Sequence, residues 1–237
     1  MVGDHHFPYT DKRTQRLIND FLEEQQPDYL IYNGDLCDFY QLSKFSKDPA
    51  RVAYLEDDIK QVRQMFALHE RTLPNTKKIF TTGTHEYRFE MFMWSKAAEL
   101  SSLACLTIPK LYELDNYGIG YVPFEQGLLT NGTFLILHGD IVSIHSSYTA
   151  KRQHEKQGGS GMCNHTHRMG SYFKTDRFGT YGWWENGCTC TLEPDWLTNA
   201  NWQQGFSLVH FTDHERFFVE QIPIVDHKFM YGGRLYK

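Results

Sequence analysis

Tyr29-Leu30-Ile31-Tyr32-Asn33-Gly34-Asp35-Leu36-Cys37-Asp38 is a short apolar run that ends in a glycine and then two acids. Four apolar residues bounded by turn-formers read as a buried strand, and Gly34 lets the backbone turn sharply beside Asp35. The same arrangement recurs at Lys78-Ile79-Phe80-Thr81, which leads into Gly83-Thr84-His85-Glu86. Helical patterns surround these strands. Thr10 or Asp11 caps a first helix to about Gln26, with Leu17, Ile18, Phe21 and Leu22 on one face and Pro27 as its stop. A second helix is expected over about Arg51–Thr72 and a third over about Tyr87–Leu103. Such alternation argues a parallel sheet flanked by helices, with ligands gathered at the carboxyl ends of the strands.

The second half is richer in strands. Leu128–Thr130 and Thr133–Leu137 flank Asn131-Gly132 and read as a tight hairpin that ends at His138. A polar helix is expected over Ser147–Gln157, broken by Gly158-Gly159-Ser160-Gly161. Further strands are expected at about 169–175, 179–184, 205–211 and 215–222, with turns at Asp176-Arg177 and Asp213-His214. The inferred fold is of the α/β (α+β) class: a four-layer αββα sandwich, two mixed β-sheets flanked by helices. Only Met1, Val2 and Gly3 precede Asp4, so the first strand is a stub or the chain begins inside a longer gene product.

The length of 237 residues fits one domain over 1–237, and an apolar share of 41% supports a packed core. No run reaches the roughly 20 apolar residues of a membrane helix, and the start MVGDHHFPYT has no signal-peptide pattern. Five Cys in no disulfide spacing read as reduced thiols of a cytoplasmic protein. Cys188 and Cys190 would share one face of a strand; they read as a zinc-binding pair only if a second pair completed it, and none does. A net charge of −5 provides no global basic field for nucleic acid, although a local patch would suffice for a nucleic-acid substrate.

Five pieces carry the chemistry: Asp4-His5-His6, Gly34 to Asp38, Gly83 to Glu86, His138-Gly139-Asp140 and Asn164-His165-Thr166-His167. They supply two carboxylates and four imidazoles at strand-to-loop junctions, a donor set that suits Mn, Fe or Zn. Asp4 with His6, and His165 with His167, are two apart, so on extended chain each pair points to one side. Asp35 has two oxygens and can bridge two cations, or cap a helix. Asp38 is placed to orient a histidine, or to begin a helix.

In their order, these pieces resemble the signature of the calcineurin-like metallophosphoesterase family, D-x-H, G-D-x-x-D, G-N-H-[DE], H, G-H-x-H, over nearly the whole chain. The resemblance implies two divalent metal ions, Mn, Fe, Zn or Ni. Asp4, His6, Asp35 and His167 would hold one; Asp35, the Thr84 position, His138 and His165 would hold the other. It further implies that a metal-bridging hydroxide attacks phosphorus, with His85 as acid for the leaving oxygen and Asp38 holding His85. Two positions depart from the signature. Thr84 replaces Asn, whose carbonyl oxygen reaches further than a hydroxyl and binds better. Asn164 replaces Gly and is expected to take a left-handed backbone, which Asn tolerates best among non-glycine residues.

Arg88 and His145 are candidate substrate contacts, with a salt bridge and a solvated helix face as their ordinary alternatives. Tyr148, Lys151 and Arg152 stand with His145. Trp183-Trp184 is expected to pack within a strand, stacking of a base being the rarer alternative. The function expected is a metal-dependent phosphoesterase, a hydrolase acting on phosphodiesters or small phosphomonoesters. The alternatives are a phosphate-ester or nucleotide-binding module with weakened catalysis, and a nuclease subunit of a larger assembly.

Overall fold

The computed structural model describes residues 1–44, 54–194, 197, 199–212 and 216–237. The helix start expected at Arg51 and the turn expected at Asp213-His214 lie outside the described residues.

The first half builds the expected alternation: α1 (Lys12–Gln25), β1 (Tyr29–Asn33), α2 (Leu55–Thr72), β2 (Lys77–Thr81), α3 (Thr84–Lys96), α4 (Ile108–Leu111) and β3 (Ile119–Val122). The three strands pair in parallel in the order β1-β2-β3. Asp11 caps α1, its carboxylate accepting from Arg13 and Thr14 N–H. α3 differs from expectation at both ends. It starts at Thr84 because the Glu86 carboxylate accepts the Gly83 N–H at 3.1 Å. It stops at Lys96 because Ala97 leaves the helical region at φ −149°.

The second half adds β4 (Leu128–Thr130), β5 (Phe134–Ile136), α5 (Tyr148–Gln157), β6 (Ser160–Cys163), β7 (Gly170–Asp176) and β8 (Gly179–Glu185). They form one mixed sheet in the order β4-β5-β6-β8-β7, parallel at its centre and antiparallel at both edges. Asn131 and Gly132 take positive φ in the β4–β5 turn, as a primed turn requires. The expected break at Gly158–Gly161 is only half a break. Gly158 and Gly159 turn the chain, but Ser160 and Gly161 already belong to β6. A side chain at Gly161 would strike the Leu135 carbonyl and the Trp183 ring, so this glycine marks close packing within the sheet.

β9 (Gln204–Phe211) and β10 (Phe217–Ile224) form an antiparallel pair. The stub at the front joins them to the first sheet. Val2 donates to the Ile31 carbonyl at 3.0 Å and accepts from Asn33 at 2.7 Å, while Ser207 N–H donates to the Met1 carbonyl at 3.2 Å. β11 (Phe229–Tyr231) and β12 (Arg234–Tyr236) close the described chain as a small hairpin.

Strand alternation sorts the side chains into three apolar layers. Leu30, Tyr32 and Phe80 pack with Leu17, Phe21, Ile59 and Phe66 from the helices. Ile31 points the other way and packs with Phe134, Ile136, Met162 and Trp184 between the sheets. Trp183 faces away from Trp184 and packs with Leu137, Cys163 and Ala150 of α5. The result is the helix–sheet–sheet–helix sandwich. Both tryptophans lie in its core, Trp183 fully buried, which leaves neither free to stack a base. No helix of the described residues is long and apolar enough to cross a membrane.

Candidate metal centre

The ends of the stub, β1, β2, β5 and β6 deliver the motif residues to one edge of the sandwich. They do so through kinked backbone, not the extended geometry expected for Asp4–His6 and His165–His167. Asp4, His6, Asp35, His165 and His167 have φ of 49°, 51°, 50°, 75° and 56°. Non-glycine residues in this left-handed region carry strain of order 1–3 kcal/mol each, and such residues cluster at functional sites. Backbone hydrogen bonds hold them there: Asp4 N–H to the Gly34 carbonyl at 3.1 Å and His6 N–H to the Asp35 carbonyl at 2.9 Å. Gly34 is required by proximity as well as by its φ of 76°, since a Cβ there would lie 2.5 Å from His138 Nδ1.

The side chains converge in two groups. Asp4, His6 and His167 form the first: His167 Nε2 lies 3.5 Å from Asp4 Oδ1 and 2.9 Å from His6 Nε2. Asp35, His138 and His165 form the second. Asp35 Oδ2 sits between the groups, 3.0 Å from His138 Nε2, 3.1 Å from Thr84 Oγ1 and 3.9 Å from His6 Nε2. Thr84 Oγ1 is 3.3 Å from His165 Nδ1.

Two buried atoms in this cluster, Asp4 Oδ1 and His138 Nε2, have no hydrogen-bond partner. Leaving such atoms unsatisfied costs about 1–3 kcal/mol each. Positive charge among them removes that cost, and the protonation balance shows the same demand. Burial would raise the Asp4 carboxyl, but the positive charge that His167 and His138 can carry beside it holds it well below the carboxylate range. Burial likewise opposes ionisation of Asp35, and His138 and His85 outweigh it. Burial would lower His138, yet Asp35 lifts it to about 9. His165, buried and beside His138, is lowered to about 4. Two carboxylates and four imidazoles with unsatisfied inward atoms fit divalent cations.

A second ring of residues fixes the donors. His138 Nδ1 donates to the Asn33 carbonyl at 2.7 Å, which turns Nε2 inward. Asp38 Oδ2 faces His6 Nδ1 at 3.1 Å. Asn164 does not adopt the left-handed backbone expected of it; that conformation belongs to its neighbour His165. Its amide instead donates to Asp4 Oδ2 at 2.8 Å and its carbonyl accepts from Asn33 Nδ2 at 2.8 Å. Sequence reasoning gave no role to Glu86, although it closes the Gly83–Glu86 motif. Glu86 is fully buried and accepts from the N–H groups of Asp35, Leu36, Cys37 and Gly83 and from the Tyr112 hydroxyl. Asn33, immediately before Gly34, was also passed over. Its position at the end of a buried strand was the available signal, since a buried amide there must find partners.

His85 stands at the mouth of the cluster. Its Nδ1 donates to the Asp38 carbonyl at 2.6 Å, and its Nε2 receives Arg88 Nη2 at 3.1 Å. Burial lowers its pKa to about 4. Arg88 also donates to the Asp38 carbonyl at 3.2 Å, so it braces the imidazole. The cleft above is lined by His6, Asp35, Asp38, His85, His165 and His167, together with Tyr9, Cys190, Thr191 and Trp202. His145 is exposed, against the Tyr148 ring at 5.4 Å, and does not line this cleft. Lys151 and Arg152 lie on the solvated face of α5, where Lys151 pairs with Glu155. Asp140 pairs with Lys156 at 3.2 Å on the surface.

The family model described as Metallophos, calcineurin-like phosphoesterase, matches residues 1–213. The chain belongs to the calcineurin-like phosphoesterase family. Among its relatives are the Gene 54 proteins of Mycobacterium phages D29 and L5, 25% and 24% identical over 255 residues. Each alignment covers 100% of this chain and 97% of the relative. Similar solved structures include Vps29 from Entamoeba histolytica as a single mutant and as a wild-type complex with zinc, at 12% and 13% identity and TM-scores of 0.50. Each covers 99% of this chain and 93% of the other. At that identity the likeness concerns the fold, and it is the fold expected for a calcineurin-like phosphoesterase.

Proposed function

We propose that the protein hydrolyses phosphate esters with two divalent cations. Asp4, His6, Asp35 and His167 would hold one, and Asp35, Thr84, His138 and His165 the other. The observation that carries this reading is the position of Asp35 Oδ2 between two groups of inward-facing donors, two of whose buried atoms lack hydrogen-bond partners. Bound there, the cations would activate water near neutral pH and neutralise phosphoryl oxygens. The zinc complex of Vps29 from Entamoeba histolytica supports cation binding in this fold.

The chain's own residues have distinct tasks. Asp38 and Asn33 fix the imidazoles of His6 and His138 so that each offers Nε2. His85 presents Nε2 beside the cleft, 4.0 Å from Asp35 Oδ2. In the free chain that nitrogen accepts from Arg88 and is unprotonated at neutral pH. The negative charge of a bound phosphate favours its protonation, after which it can pass the proton to the leaving oxygen. That protonation releases Arg88 Nη2, while Nη1 stays on the Asp38 carbonyl, and Nη2 would then contact the phosphoryl group. The cleft encloses about 160 Å³. Pockets that enclose a drug-sized ligand hold roughly 300–1,000 Å³, so the site takes the phosphoryl group and leaves most of the substrate outside. Phosphodiesters and small monoesters suit it. Five free thiols fit a reducing, cytoplasmic setting.

A second reading, a phosphate-ester binder with weak catalysis, rests on Thr84, which offers a hydroxyl where the signature has an amide carbonyl. A panel of diesters and monoesters assayed after chelation and after addition of Mn²⁺, Ni²⁺, Zn²⁺ or Mg²⁺ separates the two. Restored turnover with any of these ions supports the enzyme; binding of the esters without turnover supports the binder.

A further inference from the structure

The buried thiols at the edge of the centre are not used by the hydrolytic reading. Cys188 and Cys190 sit on either side of Thr189, which with Cys190 donates its N–H to the Asp4 carbonyl at 3.1 Å. The segment is pinned throughout. Cys188 N–H donates to the Gln203 carbonyl at 3.0 Å, Gln204 Nε2 donates to the Cys190 carbonyl at 2.9 Å, and Thr191 N–H donates to the Tyr9 carbonyl at 2.9 Å. Cys190 Sγ faces the Nδ1 edge of His167, opposite the Nε2 that faces Asp4, and the neighbouring Cys188 Sγ donates to the Gln203 carbonyl at 3.6 Å. Cys190 Sγ lies 3.8 Å from His167 Nδ1, and the two sulfurs and a ring nitrogen all lie within 4.8 Å of one another.

Buried cysteines are ordinarily inert small hydrophobes. These two differ in facing each other and an imidazole nitrogen together. Tetrahedral zinc with Zn–S of about 2.3 Å and Zn–N of about 2.0–2.1 Å places sulfur and nitrogen roughly 3.6 Å apart. The observed 3.8 Å needs little adjustment. His6 and His138 point their outer nitrogens at oxygen, of Asp38 and of Asn33. Only His167 has sulfur there. Cys190 also lines the cleft, which provides a path for an ion.

We propose that Cys188, Cys190 and the Nδ1 of His167 form a thiolate site for one thiophilic divalent cation, such as zinc or cadmium, which shares His167 with the hydrolytic centre. Three protein ligands leave a fourth position open to water on the cleft side. Binding releases one proton from each thiol to solvent, and the ion replaces the proton on Nδ1. Soft thiolate donors select this class of ion over Mg²⁺ or Mn²⁺. Occupancy would thus alter the donor strength of His167 in response to thiophilic metal.

Cd²⁺ is the probe, titrated into the chelated, reduced full chain in a Cys105→Ser background, because Cys105 is exposed. The sulfur-to-cadmium charge-transfer absorption in the near ultraviolet reports thiolate ligation directly. One equivalent should produce the band, Asp35→Ala should keep it, and Cys188→Ser/Cys190→Ser should lose it. Cys190→Ser alone should roughly halve it, which covers the case in which the double variant does not fold. No band in the parent chain overturns the proposal, as does an undiminished band in either cysteine variant. Because Asp35→Ala removes the bridging ligand of the hydrolytic centre, failure of that centre and failure of the thiolate site give different patterns.

Discussion

His138 Nε2 lies 3.0 Å from Asp35 Oδ2 and makes no hydrogen bond to it while the ring is neutral, because the one ring hydrogen is donated from Nδ1 to the Asn33 carbonyl. Lone pairs of a ring nitrogen and a carboxylate face each other at this distance only when positive charge lies near both. In the cation-free chain a proton supplies it, which is why Asp35 lifts His138 from 6.5 to about 9 against burial. A divalent cation must displace that proton. The apparent affinity for Mn²⁺ should therefore rise about tenfold per pH unit between pH 6 and 8, and this contribution should fade above pH 9. Calorimetric titrations across that range check it; an affinity flat in pH would mean that His138 is not a ligand.

His85→Ala should lower turnover by about 10²–10⁴, the usual worth of general acid catalysis, with metal content near that of the parent. The loss should be greater for esters with poor leaving groups. An equal loss across a leaving-group series would remove His85 from the proton transfer.

Thr84 Oγ1 donates to Asp35 Oδ2 at 3.1 Å. The hydroxyl proton thus occupies an oxygen that a cation also needs. In Thr84→Asn a carbonyl oxygen brings no proton to that point, so the second ion should bind more tightly and turnover should rise, most at low Mn²⁺. At saturating Mn²⁺ the difference should shrink by mass action. Coincident Mn²⁺–activity curves for the two forms would show that Thr84 is not limiting.

Glu86 gathers the N–H groups of Asp35, Leu36, Cys37 and Gly83. Glu86→Ala leaves these buried donors without an acceptor, at about 1–3 kcal/mol each where water cannot reach them. Stability should fall by at least about 3 kcal/mol in urea denaturation, and metal binding should weaken because the Asp35 turn loosens. A change below about 1 kcal/mol would show that water replaces the carboxylate.

Much of this was legible from local patterns. Tyr29–Tyr32 and Lys78–Thr81 are apolar runs with turn residues after them, and the structure has β1 and β2 there in parallel. The Asn131-Gly132 turn was readable because only a few residues accept two positive φ values in succession. What was hidden depended on contacts distant in sequence. β6 is short, buried on both faces and contains Gly161 for the sake of Trp183, so it shows no alternation and looks like a break. β3 and the β11–β12 hairpin are only three or four residues long and have no pattern to display. The kinked backbone at Asp4, His6, His165 and His167 is imposed by hydrogen bonds between separate segments, and spacing alone implied extended chain. Glu86 and Asn164 act through partners some 50 and 160 residues away.

The most direct test is the rate of hydrolysis of a model phosphodiester by the chelated chain as Mn²⁺ is added back, with bound ions counted on the same samples. The rate should be negligible without metal and rise as the second ion binds, and Asp35→Ala should lose both ions and the rate. Full turnover by the metal-free chain, or an Asp35→Ala variant that keeps two ions and its activity, would contradict the two-metal reading.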